Sequence, residues 1–188
     1  MIGYGTLGVS FFLTAISVFF YFYAFSLQNS KIVSQKSTSK ETQKIHALSV
    51  RGRLAYILSA AGIFVAAAFL MTLILTNRFA YAYVFGYSSL ELPFAYKLAA
   101  FWAGQEGSFL LWLFFQAVFG LVILRQKAPD GVMAIYGLIQ AGLLLLLAYK
   151  SPFMMLASAR PDGLGLNPLL QDPWMVIHPP VLFSMRLV

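Results

Sequence analysis

Residues 3–27, "GYGTLGVSFFLTAISVFFYFYAFSL", contain no charged side chain. As a helix rising ~1.5 Å per residue, this run outlasts the ~30 Å hydrocarbon core of a bilayer. In lipid the backbone must satisfy its own polar groups, and a single segment does so only as a helix. The run lacks a basic region before it and is long for a signal-peptide core, so it reads as an uncleaved span. Residues 54–76 form a second uncharged run. Further apolar runs cover 99–124, with Gln105 and Glu106 near the start, and 132–149. Apolar residues make up 60% of the chain and charged ones 10%, against about 25% charged in soluble domains. The expected fold class is therefore all-α: a polytopic integral membrane protein with about four transmembrane helices, interfacial helices and an external loop.

The net charge of +7 invites a nucleic-acid reading, which the placement of the charges excludes. Six of the thirteen Lys and Arg lie in 28–53, between the first two apolar runs, and two more lie in the turn 125–131. The segments 77–97 and 150–180 hold two each. The positive-inside rule then makes 28–53 a basic cytoplasmic loop and 125–131 a cytoplasmic turn. The N-terminus, the Tyr- and Phe-rich segment 77–97 and the Pro-rich loop 150–180 fall outside. With no cysteine, the chain forms no disulfide or thiolate–metal site of its own.

Four motifs carry the chemical arguments. "GYGTLG" matches the dinucleotide pattern G-x-G-x-x-G, but it opens an apolar helix with no acidic residue before Glu41, so it reads as chance or helix packing. Glu106, in "FWAGQEGSFLLWLF", reads either as an acid at a helix start, favoured by the dipole, or as a polar contact for a ligand or partner. "ARPDGLGLNPLLQDPW" carries turn and helix-start signals throughout, which predicts an ordered loop. Asp172 is placed to cap a short helix begun by Pro173. His178, in "DPWMVIHPPVLF", precedes two prolines, which predicts extended backbone there and a rigid corner. From its spacing alone, His178 is either a hydrogen-bonding interfacial residue or a metal ligand. His46, in the basic segment, is the weaker candidate.

"YSSLELPFAYKLAAFWAGQEGSFLLW" (87–112), "PDGLGLNPLLQDPWMVIHPPVLF" (161–183) and the four-span layout together resemble the CcmF family of cytochrome c haem lyases. That resemblance implies a role in cytochrome c maturation. The family acts at an energy-transducing membrane, with a bacterial inner membrane expected ahead of a mitochondrial one. It positions haem for covalent thioether attachment to apocytochrome c on the outer face. It implies haem b as cofactor, and haem, apocytochrome c, other cytochrome c maturation proteins and the lipid bilayer as partners. His178 maps onto the family's His-Pro-Pro context, where the histidine is an axial ligand of haem iron, a role suited to a neutral imidazole.

The family pattern continues with a further span, a tryptophan-rich segment, a second external histidine and two intramembrane histidines. None is present here. Eight residues from Val181 rise only about 12 Å as a helix, too little to span. Residues 181–188 are thus expected to be an incomplete fifth span, and the chain an N-terminal portion of a haem lyase. A separate chain carrying the remainder is one partner this allows. Weak haem binding at most and no ligation activity are expected of this portion alone. Two other readings stand beside this one: a subunit of an ion or solute transporter with Glu106 in the pathway, and a haem-free scaffold recruiting a partner through its aromatic loop.

Overall fold

The computed structural model describes residues 2–34, 39–158, 160–172, 174, 177, 178 and 181. Among the described residues, six α-helices can be bounded in order: α1 (Ile2–Ser34), α2 (Ser39–Leu75), α3 (Ala82–Tyr87), α4 (Phe94–Ala103), α5 (Gln105–Arg125) and α6 (Asp130–Tyr149). A single 3-10 turn covers Pro168–Leu170. Four of the helices, α1, α2, α5 and α6, are long and apolar enough to cross a membrane. The described residues contain no strand, only an isolated bridge between Tyr81 and Met155. This is the expected all-α, multi-pass membrane architecture.

α1 and α2 form an antiparallel hairpin along most of their length, α6 packs along α1, and α5 packs against α2 and α6. Small residues permit this closeness, as is usual between helices in lipid. Ala55, Ala60, Ala66 and Ala67 of α2 are buried, and a Cβ at Gly62 would meet the Ser10 Oγ. Several of the polar groups left inside the bundle bond to one another. The Gln140 amide donates to Thr14 Oγ1 (3.1 Å) and Ser59 Oγ (3.2 Å) and accepts from the Tyr56 hydroxyl (2.8 Å). Thr14 and Ser59 share a 2.6 Å bond, and Ser59 donates to the Ser10 carbonyl at 2.9 Å. Without water at this depth, these partners lower the cost of burying an amide among three helices, α1, α2 and α6.

The helices overrun the sequence-derived segments. The stretch 28–53, read as a loop, is helical through Ser34 and again from Ser39. Its Lys, Gln, Glu and Ala are good helix formers, and each helix continues against its neighbour past the apolar run. The third span, read as starting near 99, is broken at Gly104 and starts at Gln105. The Tyr83 hydroxyl causes the break. It lies 3.0 Å from the Ala100 carbonyl and 2.9 Å from that of Phe101, to which it can donate, and it accepts from the Gly104 N–H at 3.1 Å. A continuous helix would bond Gly104 N–H to Ala100 directly. The inserted hydroxyl takes both places, a recognised cause of sharp helix kinks.

The topology gathers the connections at two ends. At the basic end, the Asp130 carboxylate accepts from Gln28 Nε2 (2.7 Å) and Ser49 Oγ (2.8 Å), joining the α1–α2 connection to the α5–α6 turn. At the aromatic end, Ala82 N–H donates to Met154 O and Leu156 N–H to Ala80 O, both at 2.8 Å. Phe153 is buried there against Gly3, and Lys150 donates to Gln105 Oε1 at 2.8 Å. The two basic connections thus share one end, and 77–97 and 150–172 share the other, as the charge count requires.

Candidate functional site

At the aromatic end, the two stretches singled out by sequence fold against each other. The turn Pro161-Asp162-Gly163 is fastened by its aspartate: Asp162 Oδ1 accepts from Gly163 N–H (2.7 Å) and from Leu90 N–H (2.9 Å). Leu164 N–H donates to the Phe85 carbonyl (2.7 Å) and Gly165 N–H to that of Ser88 (3.1 Å). A Cβ at Gly163 would overlap the Ser88 carbonyl, and Gly165 has φ +80°, a left-handed conformation that glycine adopts without strain. Leu166, Leu92 and Ala99 are buried together, with Tyr96, Trp102 and Leu170 packed on them. The Tyr96 hydroxyl donates to the Gln171 carbonyl at 2.7 Å, while the Gln171 amide donates to the Leu166 carbonyl at 2.8 Å. The expected ordered loop is present, and these bonds order it.

Beneath this loop, α3, α4 and the start of α5 meet at the Tyr83 hydroxyl. Burial pushes the Tyr83 phenol well above its ordinary value, against a smaller opposing effect of the Gly104 N–H bond, so the hydroxyl keeps its proton. Tyr87 is raised as well, first by burial and then by the charge of Glu106. A Cβ at Gly107 would overlap the Phe101 carbonyl, and one at Gly104 would overlap the Tyr87 ring. Both glycines of "WAGQEGS" are therefore close-approach residues at the helix break. Glu106 stands in the first turn of α5, partly buried. It is an acid at a helix start, where the dipole favours it. It lies at the end of a span rather than mid-depth, where a transport pathway would need it.

His178 follows this clamped loop. Asp172 Oδ1 accepts from Trp174 N–H at 2.8 Å, the capping role read from sequence. Trp174, Ile177, His178 and Val181 are helical and exposed. Their sequence spacing, i, i+3, i+4 and i+7, is that of residues sharing one face of a helix. The extended backbone expected at His178 is therefore corrected to helix. The restriction before proline is a bias that a capped helix overrides. The prolines 173, 179 and 180 and residues 182–188, including most of the expected fifth span, lie outside the described residues. His46 is on α2 at the basic end, so the chain's two histidines are not brought together. Among the described residues, no group of three or more His, Cys, Asp or Glu could hold a metal ion.

An imidazole beside Trp174, Ile177 and Val181 fits one face of a haem: a nitrogen donor in an apolar, partly aromatic surround. For such a group the described residues of this segment offer one nitrogen donor, His178. A separate apolar recess of about 290 Å³ lies between α2, α4 and α5, bounded by Phe64, Met71, Phe101, Trp102, Leu111 and Phe114, with no titratable group in its lining. Sequence reading missed the Tyr83 insertion and the Gln140 network. Tyr83 stood among several aromatics, and Gln140 carries no charge to mark it.

The fold and this end define a multi-pass helical membrane protein with a built platform on one side of the bilayer. Comparison with known proteins narrows the class. The chain is 37% identical over 134 residues to the cytochrome c-type biogenesis protein CcmF of Escherichia coli, covering 67% of this chain and 20% of that protein. It is 41% identical over 117 residues to CcmF of Pseudomonas aeruginosa, covering 58% and 18%. It is 35% identical over 115 residues to the cytochrome c-type biogenesis protein ccl1 of Rhodobacter capsulatus, covering 57% and 18%. The relationship to CcmF-type cytochrome c biogenesis proteins is thereby shown. The chain spans about a fifth of the length of these relatives. No family model and no solved structure matches it.

Proposed function

We propose that the chain acts in cytochrome c maturation, within a membrane haem lyase that positions haem for thioether attachment to apocytochrome c. The observation that carries this reading is the exposed face Trp174–Ile177–His178–Val181, held by a loop clamped to the α3–α5 platform. The aromatic end is the outer, periplasmic face of a bacterial inner membrane, as the distribution of Lys and Arg favours. Haem b, when bound, supplies the vinyl carbons to which the apocytochrome thiols add. His178 would hold the iron through an imidazole nitrogen, and Trp174 and Ile177 would provide apolar contact. The buried Tyr83 hydroxyl and the Asp162 turn hold the platform in register. Haem, apocytochrome c and other maturation proteins are the partners. In this reading the organic chemistry belongs to the haem and the thiols, and the protein binds and orients.

The test is a cytochrome c maturation assay in membranes that contain the other maturation proteins, reading covalent haem on a reporter apocytochrome. His178→Ala is expected to reduce covalent haem to background, while His46→Ala leaves it at the wild-type level. Wild-type maturation by His178→Ala would overturn the assignment. Nothing in the fold or in the relatives' names favours the transporter reading.

A further inference from the structure

The basic end holds a feature that the proposed function leaves unused. A cleft of about 180 Å³ opens between the α1–α2 hairpin and the α5–α6 turn, and Tyr21, His46, Ser49, Arg53, Lys127 and Asp130 are among its lining residues. Its one carboxylate is already engaged, accepting from Gln28 and Ser49. Arg53 and Lys127 have no ion-pair partner among the described residues, and both side chains are exposed. The cleft therefore presents two cations against one carboxylate, a net positive charge, beside a neutral hydroxyl and an imidazole.

Lys127 also sits where a lysine is out of place. Its φ is +58°, in the left-handed region. It terminates α5 with the paired bonds Lys127 N–H to Leu124 O (3.2 Å) and Ala128 N–H to Ile123 O (3.3 Å), the motif in which glycine or asparagine usually stands. α2 ends the same way at Asn77, φ +53°, where the residue suits the position. A strained backbone at a ligand clamp is a recurrent trade. Here it brings an ammonium group to the cleft.

We propose that this cleft binds the phosphate of an anionic phospholipid in the leaflet at the basic end. Two features favour a lipid over a soluble phosphate. The cleft lies where the charged part of α2 passes into its apolar run, the depth of lipid headgroups. In the next turn of α2, Leu54 and Leu58 are each 57% exposed and offer an apolar wall to acyl chains. Basic pockets between transmembrane helices take anionic headgroups by the same physics.

The experiment titrates the purified full chain, in neutral detergent, with phosphatidylglycerol, phosphatidylcholine or inorganic phosphate, and reads retained ligand by native mass spectrometry. Phosphatidylglycerol is expected to be retained and phosphatidylcholine not. Joint Arg53→Gln and Lys127→Gly substitution is expected to weaken phosphatidylglycerol binding about thirtyfold. Lys127→Gly removes strain, so its thermal midpoint should equal or exceed the wild type and certify the fold. Lys40→Gln, on the same end outside the cleft, should bind as wild type. Equal retention of phosphatidylcholine, unchanged binding by the double variant, or the same loss in Lys40→Gln would overturn the proposal. Inorganic phosphate that displaces the lipid at equal concentration would overturn the lipid assignment and give the cleft to a soluble phosphate.

Discussion

The two ends of the bundle are built by different means. At the basic end, long helices simply continue past the apolar runs, and one carboxylate, Asp130, ties two connections together. At the aromatic end, the chain makes short helices and a loop, fixed by backbone bonds, close-approach glycines and one buried phenol. The first arrangement tolerates change, since exposed charges on a helix cost little to move. The second does not, since each contact involves backbone that cannot swing aside. The candidate haem face follows directly on the clamped loop of the second end.

That contrast can be broken by substitution, with thermal unfolding in detergent as the measure. The largest effect is expected at Gly107. Gly107→Val would drive a side chain into the Phe101 carbonyl and the Tyr83 hydroxyl, and should cost about 3 kcal/mol. Tyr83→Phe should cost about 2 kcal/mol, because it leaves the buried Gly104 N–H without its acceptor. Gln140→Leu should cost about 1 kcal/mol, since hydrogen bonds inside a membrane bundle are individually modest. Asp130→Asn should cost less than about 1 kcal/mol, because the amide oxygen can still accept at the start of α6. If Asp130→Asn proved as damaging as Gly107→Val, the distinction between the two ends would fail.

Much of this could be read from residue types. Uncharged runs define spans because lipid leaves the backbone few alternatives, and counting Lys and Arg sorted the connections into the two ends that the structure shows. Asp172 and Asp162 announced their turns because a short carboxylate beside proline or glycine has few other uses. The break at Gly104 was less legible. An isolated glycine in an apolar helix is tolerated, and the decisive partner, Tyr83, is 21 residues away in sequence. Gly104 followed by Glu106 in a first turn is, in retrospect, a helix-start signal of the kind already recognised at Asp172. Charge density between two apolar runs reads as loop, so the helical extensions of α1 and α2 are not legible in it. The helical state at His178 was hidden by a proline rule that holds as a tendency. The Gln140–Tyr56–Thr14–Ser59 network needs α1, α2 and α6 in place before its partners meet.

Which side of the membrane carries the platform can be fixed directly, since the chain has no cysteine of its own. A single cysteine at Leu164, 75% exposed, should react with an impermeant thiol reagent from the periplasmic side, and one at Lys40 only after the membrane is opened. The reverse pattern would place the candidate face on the wrong side for cytochrome c maturation.

The central claim is that His178 presents an imidazole to haem from the aromatic end. The most direct measurement is the absorption spectrum of the purified chain titrated with haem, for wild type, His178→Ala and His46→Ala. The account predicts weak binding with a histidine-ligated spectrum in the wild type and in His46→Ala, lost in His178→Ala with no change in thermal midpoint. A histidine-ligated spectrum that survives His178→Ala and disappears in His46→Ala would contradict it.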